Sequence, residues 1–272
     1  MDSGNIGFVL LCAAFVFVMT PGLAMFYGGL VRKKNVVNTM MTSIFIIGVG
    51  IVMWVLFGYS LSFAPSGNAF IGDFRWLGLE GVSLTEGYTD DASIPNMVFS
   101  AFQMMFAVIT PALITGAVAG RMKFKSIFVF TIFWSLIVYY PLAHMVWGQG
   151  GLLGADGIGA LDFAGGDVVH ISSGVSALVL CILLGKRHDY EHSIYRIHNI
   201  PTVVLGASLL MFGWFGFNAG SALAADGLAA HAFMTTGVFQ PQPQCSRGCS
   251  VILSRTKSLR LSAQARVWLQ VL

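Results

Sequence analysis

The 272-residue sequence has little charge: only 10% of its residues are Asp, Glu, Lys or Arg, against about 25% in an average soluble domain. A nucleic-acid-binding protein needs a dense basic surface, yet the formal net charge here is only +3. A disordered chain needs low hydrophobicity, yet 56% of these residues are hydrophobic. The composition therefore excludes an ordinary cytosolic enzyme, a nucleic-acid-binding protein and a disordered chain.

Cysteine and enzyme motifs are also scarce. The sequence has four cysteines, and the last two have no second close pair or histidine cluster nearby to complete a zinc site. It also lacks the G-x-S-x-G, H-E-x-x-H and P-loop patterns of hydrolases, metalloproteases and nucleotide-binding enzymes. We therefore predict free thiols, and we expect no metal, no cofactor and no enzymatic activity. The cysteines are Cys12, Cys181, Cys245 and Cys249.

Long hydrophobic runs, by contrast, are abundant. Crossing a hydrocarbon core about 30 Å thick takes roughly 20 mainly apolar residues in a helix, and six windows meet this length. They are residues 6–31, 38–63, 95–120, 125–147, 168–185 and 201–223. The first window runs into basic residues without a small-residue cleavage pattern, so we expect it to be retained as a helix. The sequence thus predicts an all-α, polytopic membrane helical bundle within a lipid bilayer.

The charged residues are segregated between alternate loops. Basic residues follow the first, third and fifth windows: Arg32, Lys33, Lys34, Arg121, Lys123, Lys125, Lys186, Arg187 and Arg196. Loops 64–94 and 148–167 instead carry eight acidic residues and one basic residue, Arg75. Since Lys and Arg in short loops are held on the cytoplasmic side, we expect a cell-membrane protein with its N-terminus and acidic loops outside. An acidic rim would concentrate cations near a pore, although solvated loop carboxylates are the simpler alternative.

Three residues near the outer ends of the fourth and fifth windows are candidates for binding or proton chemistry: Trp147, Asp162 and His170. An imidazole or carboxylate at membrane depth is costly, and it is a functional candidate if it faces the interior of a helix bundle. Each residue also has a structural alternative: an interfacial tryptophan, a helix N-cap aspartate and a hydrogen-bonded interfacial histidine. The residues alone leave these alternatives open.

Aromatic residues in the third and sixth windows form a second group of candidates. Phe102 and Phe106 are four residues apart and share one helical face, a spacing that is also common in helix cores. The string GWFGFNAGSAL, residues 213–223, mixes rings such as Phe217 with small and polar groups such as Ser221. Aromatic faces attract desolvated cations by roughly 0.5 to 2 kcal/mol, so this composition favours a small cation over an anion. Glycines in the same windows predict close helix packing.

Four longer strings, MTPGLAMFYGGLVRKKNV, AHMVWGQGGLL, ALDFAGGDVVHI and GWFGFNAGSA, resemble the ammonium transporter (Amt/Rh) family. The resemblance extends over residues 1–236 and includes all six windows in order. It implies a fold of eleven transmembrane helices, of which six are present here, a homotrimer, and a conduction pore for ammonium or ammonia in each subunit. For an intact parent it also implies a trimeric nitrogen-regulatory protein as a partner on the cytoplasmic face. Methylammonium is not distinguished from ammonium.

The resemblance also implies roles for aromatic and hydroxyl residues. Phe106, Trp147 and Ser221 resemble an outer site that recruits ammonium through cation–π contacts and a hydroxyl hydrogen bond. Phe106 and Phe217 resemble the stacked rings that close the mouth of the pore. On this resemblance, the substrate-binding residues and the pore gate share one phenylalanine.

Two titratable residues resemble further parts of the pathway. Asp162 is similar to an aspartate that supports the recruitment site without direct contact, by holding backbone groups and adding negative potential. His170 is similar to the first of two pore-lining histidines that handle the substrate and its proton. These roles agree with the physics of the pore. Because a bare ammonium ion enters hydrocarbon at a heavy cost, an apolar lumen favours moving ammonia and the proton separately, and imidazole suits that exchange.

After about residue 236 the sequence no longer follows the family pattern. Residues 237–272 contain five basic residues, no acidic residue and no window that could span a membrane. A lipid-surface anchor and a disordered end are alternatives, but we favour translation of a shifted reading frame. We therefore predict a partial transporter domain, residues 1–236, and a non-family tail, residues 237–272. Without the remaining helices and the second histidine, we expect transport by this chain to be impaired.

Two other functions are alternatives to transport. An ammonium sensor would use the same scaffold with a signalling extension, but a tail of 36 residues is shorter than a typical independent domain. A membrane enzyme would use Asp162 and His170 as an acid and base pair, but no nucleophile or set of metal ligands accompanies them. We therefore expect channel-like ammonium uptake as the function of the parent protein.

Overall fold

The computed structural model describes residues 1–65, 68–155, 157–187 and 197–239. Within these ranges the chain forms helices joined by loops, and no β-strand occurs. We number the helices from the N-terminus. They are α1 (Ser3–Leu30), α2 (Val36–Met53), α3 (Tyr59–Phe63), α4 (Asn96–Val118), α5 (Phe124–Trp134), α6 (Tyr140–Trp147), α7 (Ser172–Leu184), α8 (Ile200–Gly220) and α9 (Gly227–Phe239). The predicted all-α fold is confirmed.

Three π-helical turns connect or precede these helices. Trp54–Gly58 joins α2 to α3, Ser135–Tyr139 joins α5 to α6, and Gly166–Ile171 leads into α7. Such turns shift the register of the side chains that follow, and they are frequent at functional sites. With these turns included, each joined set of helices forms one continuous span.

Six helical spans are long and apolar enough to cross a membrane. They are Ser3–Leu30, Lys33–Phe63, Asn96–Val118, Phe124–Trp147, Gly166–Leu184 and Ile200–Gly220. All six predicted windows are therefore confirmed, with ends that differ by a few residues. The third span, α4, ends at Val118, two residues earlier than predicted. Gly120 lies in a turn there, with a φ of +73° that glycine adopts without strain.

The three basic loops lie together at one end of the bundle. We call it the basic end, and it comprises the described residues 31–35, 119–123, 185–187 and 197–199. Arg121 donates from Nη1 to the carbonyl of Gly185 at 3.0 Å, and the backbone of His198 donates to the carbonyl of Val31 at 3.1 Å. The loops after the first, third and fifth spans are therefore neighbours, as their shared charge predicts. Arg196 lies outside the described residues.

The N-terminus and the acidic loops lie at the opposite end. We call it the acidic end, and it comprises the N-terminus with the described parts of residues 64–94, 148–165 and 221–226. Ser93 Oγ donates to the carbonyl of Leu223 at 3.3 Å, and Gln149 Nε2 donates to the carbonyl of Tyr88 at 2.8 Å. The predicted segregation of basic and acidic loops between two ends is therefore present. Asp156 lies outside the described residues.

Helix α4 lies at the centre of the bundle. In its most apolar stretch 67% of the residues are buried, against 22% in the span that contains α7. Helix α1 packs along α8, and this close approach requires glycine: a Cβ on Gly206 would lie 2.4 Å from the backbone nitrogen of Phe26. Because α1 also packs on α4, the middle of α4 and the outer end of α8 come into ring contact. This contact positions the site described below.

Helix α9 packs against α8 as a short helix. The Phe233 and Phe215 ring centroids are 4.5 Å apart, and Asn218 Nδ2 donates to Thr236 Oγ1 at 2.8 Å. The helix includes the AHAFMTT string, and it continues through residues 237–239, the first three of the predicted tail. Residues 240–272 lie outside the described residues, so the domain boundary stays a prediction.

Candidate functional site

A recess of about 490 Å³ opens at the acidic end of the bundle. Four residues for which the family resemblance implies a role line it: Phe106, Trp147, Asp162 and Ser221. Phe106 comes from α4, Trp147 is the last residue of α6, and Ser221 directly follows α8. Asp162 comes from the loop before the Gly166–Ile171 turn. Residues that are far apart in the sequence therefore meet in one concave site.

Aromatic rings form the floor of the recess. The Phe106 and Phe217 ring centroids are 4.5 Å apart, and the Trp147 centroid lies 6.1 Å from that of Phe106. Phe102 adds a fourth ring, with its centroid 4.9 Å from that of Phe106. Phe106 and Phe217 are each only 1% exposed, and of the two only Phe106 lines the recess. The predicted ring pair is present, and its role as a gate stays a prediction.

Asp162 organises the loop beside Trp147. Its two carboxylate oxygens accept hydrogen bonds from four consecutive backbone N–H groups. The donors are Gly165, Gly166, Asp167 and Val168, at 2.5 to 3.0 Å. The backbone carbonyl of Asp162 also accepts a hydrogen bond from Trp147 Nε1 at 2.9 Å. Asp162 therefore caps the π-helical turn, as one alternative predicts, and the same residue fixes the tryptophan of the recess.

Ser221 supplies an oxygen acceptor next to the rings. Its Oγ donates to the carbonyl of Phe217 at 2.8 Å, so the hydroxyl proton is already used within the protein. The lone pairs of the oxygen remain as acceptors. An acceptor beside aromatic faces suits a cation that carries N–H donors.

His170 lies beyond the ring pair, in the Gly166–Ile171 turn. Its ring centroid is 5.9 Å from that of Phe217 and 5.8 Å from that of Trp214, and its plane is within 18° of the Trp214 plane. Phe217 thus contacts both Phe106 and His170. It links a ring of the recess to the imidazole.

The sequence predicts no role for three further residues at this end. Gln103 lines the recess and is 9% exposed. His144 is fully buried, with ring nitrogens 3.1 Å from the carbonyl oxygen of Ser62 and 2.8 Å from that of Asn68. Tyr88 forms a wall of the recess and stacks on an α4 ring. Polar side chains inside apolar windows are a usable signal for the first two, whereas no local pattern identifies Tyr88.

Two titratable groups of the outer loop have shifted pKa values with clear causes. A side-chain hydrogen bond from Arg75, Nε to Oδ2 at 2.8 Å, lowers the pKa of Asp73. Burial raises the pKa of Tyr88 to about 12, so its hydroxyl is neutral at physiological pH. That hydroxyl oxygen accepts a hydrogen bond from the backbone of Gln149 at 3.0 Å. Negative potential at the acidic end therefore comes from carboxylates and not from the tyrosine.

These features define a class of protein. Six apolar spans make the chain a multi-pass membrane protein, and the recess combines aromatic rings, a carboxylate and oxygen acceptors that fit a small cation. Across the part of the chain that the structure describes, no cluster of three or more His, Cys, Asp or Glu residues could hold a metal. The model of the Ammonium Transporter Family matches residues 7–238, and the chain belongs to this family.

Individual relatives agree with the family assignment. The chain is 52% identical over 236 residues to an ammonium transporter of Bacillus subtilis, and the match covers 87% of this chain and 57% of that protein. The ammonium transporter Amt1 of Archaeoglobus fulgidus is 42% identical, with the same two coverages. The crystal structure of Candida albicans Mep2 superposes with a TM-score of 0.84 at 31% identity, covering 97% of this chain and 58% of that one. The chain thus spans little more than half the length of these relatives.

Proposed function

We propose that this chain forms the outer part of an ammonium pathway, in which the recess recruits the ion and the bundle passes ammonia inward. The observation that carries the proposal is the meeting of Phe106, Trp147, Asp162 and Ser221 in one recess. The relatives that are named ammonium transporters support the same substrate. Phe217 is the second ring of the gate, directly behind the recess.

Binding in the recess replaces part of the water around the ion. Aromatic faces attract a cation by roughly 0.5 to 2 kcal/mol, with the larger values in desolvated sites, and Phe106 and Trp147 supply two such faces. Ser221 Oγ accepts an N–H hydrogen bond. The Asp162 carboxylate is already bonded to four backbone N–H groups, so it acts on the ion through its negative potential. Methylammonium keeps three N–H donors and is a second substrate.

The ring pair and His170 determine the form in which the substrate moves on. A charged ion is costly inside hydrocarbon, and the Phe106–Phe217 contact excludes water from the interior. Imidazole exchanges a proton near neutral pH. Ammonium therefore gives one N–H proton to the neutral imidazole of His170, a pore-lining residue directly behind the rings, and continues inward as neutral ammonia while the imidazolium passes the proton on separately.

We also propose an orientation and an assembly for the parent transporter. The positive-inside rule places the basic end in the cytoplasm and puts the recess and the N-terminus outside the cell membrane. The family resemblance implies a homotrimer and a trimeric nitrogen-regulatory protein that docks at the basic end. Residues 1–236 supply the transporter part, and residues 237–272 form a tail that departs from the family pattern.

A chimera tests the proposed transport. Residues 1–236 of this chain, joined to the remaining C-terminal part of the Bacillus subtilis relative, restore the full family length. In cells without their own ammonium transporters, we expect the chimera to take up labelled methylammonium. Trp147→Leu is expected to lower uptake at low substrate concentration, because it removes one cation-binding face. Trp76→Leu is the matched control, since Trp76 stacks on Tyr59 of α3 and does not line the recess.

Two results would count against this proposal. Equal uptake by the Trp147→Leu and Trp76→Leu chimeras would contradict recruitment at the recess. No uptake by a chimera that reaches the membrane would contradict transport itself. The proposal that residues 237–272 come from a shifted reading frame is tested separately, by sequencing the gene across the codon for Thr236. An intact reading frame there would contradict it.

A sensor function has one supporting observation. A structure named Sensor Amt Protein superposes with a TM-score of 0.83 at 26% identity, and the match covers 98% of this chain and 67% of that one. A sensor binds ammonium without needing to conduct it. A purified chimera that binds methylammonium, together with cells that show no uptake, would favour the sensor over the transporter.

A further inference from the structure

We propose that α2 and α5 bind an anionic phospholipid where they meet the basic end, with the lipid phosphate on exposed lysines and the acyl chains on the apolar faces of the two helices. The lysines are Lys33, Lys34, Lys123 and Lys125. This site lies at the end of the bundle opposite the recess, so the inference does not depend on ammonium binding.

Two adjoining loops bring these lysines together. One pair directly precedes α2, and the other pair lies at the start of α5. The loops adjoin, because a Cβ on Gly120 would lie 3.0 Å from Asn35 Nδ2. All four lysine side chains are exposed, and among the described residues none of them forms a hydrogen bond or an ion pair. Residues 31–35 and 119–125 contain no acidic residue, so the two loops present a positive charge that no described carboxylate pairs with.

Each helix carries an exposed apolar stripe that starts at one of these lysines. Residues four apart lie on the same side of a helix, and on both helices a lysine is followed at this interval by two apolar residues. They are Lys33, Val37 and Met41 on the span that contains α2, and Lys125, Val129 and Phe133 on α5. The four apolar side chains are 50% to 73% exposed. Each stripe therefore has an apolar part within the membrane and a cation at its end.

The two stripes lie side by side. The Phe45 ring of α2 has its centroid 5.1 Å from that of Phe124 and 5.5 Å from that of Phe128, both on α5. Phe45 is itself 43% exposed, so it continues the apolar surface from one helix to the other. We call this surface, with its four lysines, the α2–α5 face.

The chemistry of the α2–α5 face favours an amphiphilic anion. A lysine at a helix end lays its methylenes along apolar surface and keeps its ammonium at the headgroup level, where a phospholipid carries its phosphate. A soluble phosphate would match only the lysines, and an apolar helix would match only the stripes. Basic clusters beside membrane helices attract anionic headgroups, and phosphatidylglycerol has a net negative charge, whereas the choline cation of phosphatidylcholine balances its phosphate. The face therefore fits an anionic phospholipid of the leaflet at the basic end.

Local fluorescence quenching in nanodiscs tests this site with the purified 272-residue chain. Phe133→Trp places a reporter on the α2–α5 face, and Val175→Trp places a matched reporter on the exposed side of α7, which is 56% exposed at this position. Each reporter lies nine residues from the end of its helix that is nearer the basic loops. The probes are phosphatidylglycerol and phosphatidylcholine with brominated chains, at equal mole fraction, and the chain without a reporter supplies the background of the native tryptophans.

Three double variants separate the lysines from other charges and from folding. Lys123→Gln with Lys125→Gln removes two charges from the face, and Lys123→Arg with Lys125→Arg retains them. Arg255→Gln with Lys257→Gln is the matched control, since it removes the same charge from the basic residues of 237–272.

We expect phosphatidylglycerol to be enriched over phosphatidylcholine by at least about fivefold at the Phe133→Trp reporter and by less than about twofold at Val175→Trp. The glutamine pair on the face should remove most of this enrichment, whereas the arginine pair and the 255 and 257 pair should leave it unchanged. Equal quenching at both reporters, or an enrichment that survives the glutamine pair on the face, would overturn the site. Loss of the enrichment with glycerol phosphate, but not with sodium chloride at the same ionic strength, would assign the lysines to a soluble anion and would also overturn it.

Discussion

Replacing Asp162 with Asn is predicted to disrupt the loop that holds the recess. Each carboxylate oxygen accepts two of the four backbone N–H bonds, Oδ1 from Gly165 and Gly166, and Oδ2 from Asp167 and Val168. Asparagine keeps only one of these oxygens. In either orientation of the amide, its NH2 group therefore faces two backbone donors that it cannot accept.

The size of the effect follows from the two lost bonds. A hydrogen bond to a charged group contributes about 1.5 to 3 kcal/mol. The lower figure suits a half-buried carboxylate, so Asp162→Asn should destabilise the fold by about 3 kcal/mol. For a domain of 150 to 250 residues this corresponds to a fall in Tm of roughly 6 to 12 °C. Because the same loop fixes Trp147 through the Asp162 carbonyl, uptake by the chimera should fall as well.

Thermal unfolding of the detergent-purified chain, followed by tryptophan fluorescence, measures this change. Asp167→Asn is the control, because it removes the same charge from the same loop while the backbone N–H bond to Asp162 is retained. We expect its Tm to stay within about 2 °C of the unchanged chain. If Asp162→Asn unfolded at the same temperature as Asp167→Asn and the chimera kept full uptake, the capping role would be refuted.

Three further changes are predicted to act through other contacts. Gly206→Ala should lower the Tm, because its new Cβ would lie 2.4 Å from the Phe26 backbone where α1 meets α8. His144→Leu should increase proteolysis of the outer loop, since it removes an imidazole whose nitrogens lie 3.1 Å from the carbonyl oxygen of Ser62 and 2.8 Å from that of Asn68, one of which accepts from the ring N–H. Arg75→Gln should raise the pKa of Asp73 towards its ordinary value in an NMR titration. The Asp73–Arg75 pair stabilises the fold at pH values above the ordinary pKa of aspartate. This stabilisation is lost as the pH falls through the lowered pKa of Asp73.

Each of these changes has a control or an opposite outcome. Gly48→Ala should not lower the Tm, because nothing lies within 4 Å of its Cβ, so equal midpoints for Gly48→Ala and Gly206→Ala would contradict the close packing. His231→Leu changes an exposed histidine of α9. Identical cleavage of the His144→Leu and His231→Leu chains would contradict the anchoring of the outer loop. An unchanged aspartate titration in Arg75→Gln would contradict the ion pair.

The spans could be predicted from the sequence because they depend on local rules. The hydrocarbon core sets the length of an apolar window, and the retention of Lys and Arg on one side sets the charge of its flanking loops. Both rules need only neighbouring residues, and the six windows accordingly match the helices to within a few positions. The early end of α4 depended instead on a backbone turn at Gly120 that no hydrophobic pattern reports.

The site was less accessible to sequence reasoning, since its residues converge only in three dimensions. From composition alone, Trp147 could equally be an interfacial tryptophan and Asp162 a helix cap. The family resemblance supplied their proposed roles in the recess. The structure brings both residues to one recess and shows that Asp162 is a cap. Gln103 and His144 stand as polar residues inside apolar windows, but only their burial and the positions of their polar atoms reveal what they contact.

Growth at limiting ammonium tests most directly whether the recess recruits ammonium for conduction. The strain lacks its own transporters and grows at low ammonium and acidic pH, where little free ammonia diffuses in unaided. We predict growth with the chimera, a higher ammonium requirement with its Ser221→Ala variant, and no growth with the 272-residue chain alone. If the 272-residue chain alone supported growth equal to that of the chimera, transport would not depend on the remaining helices. If a correctly inserted chimera supported no growth, the proposed transport would be contradicted.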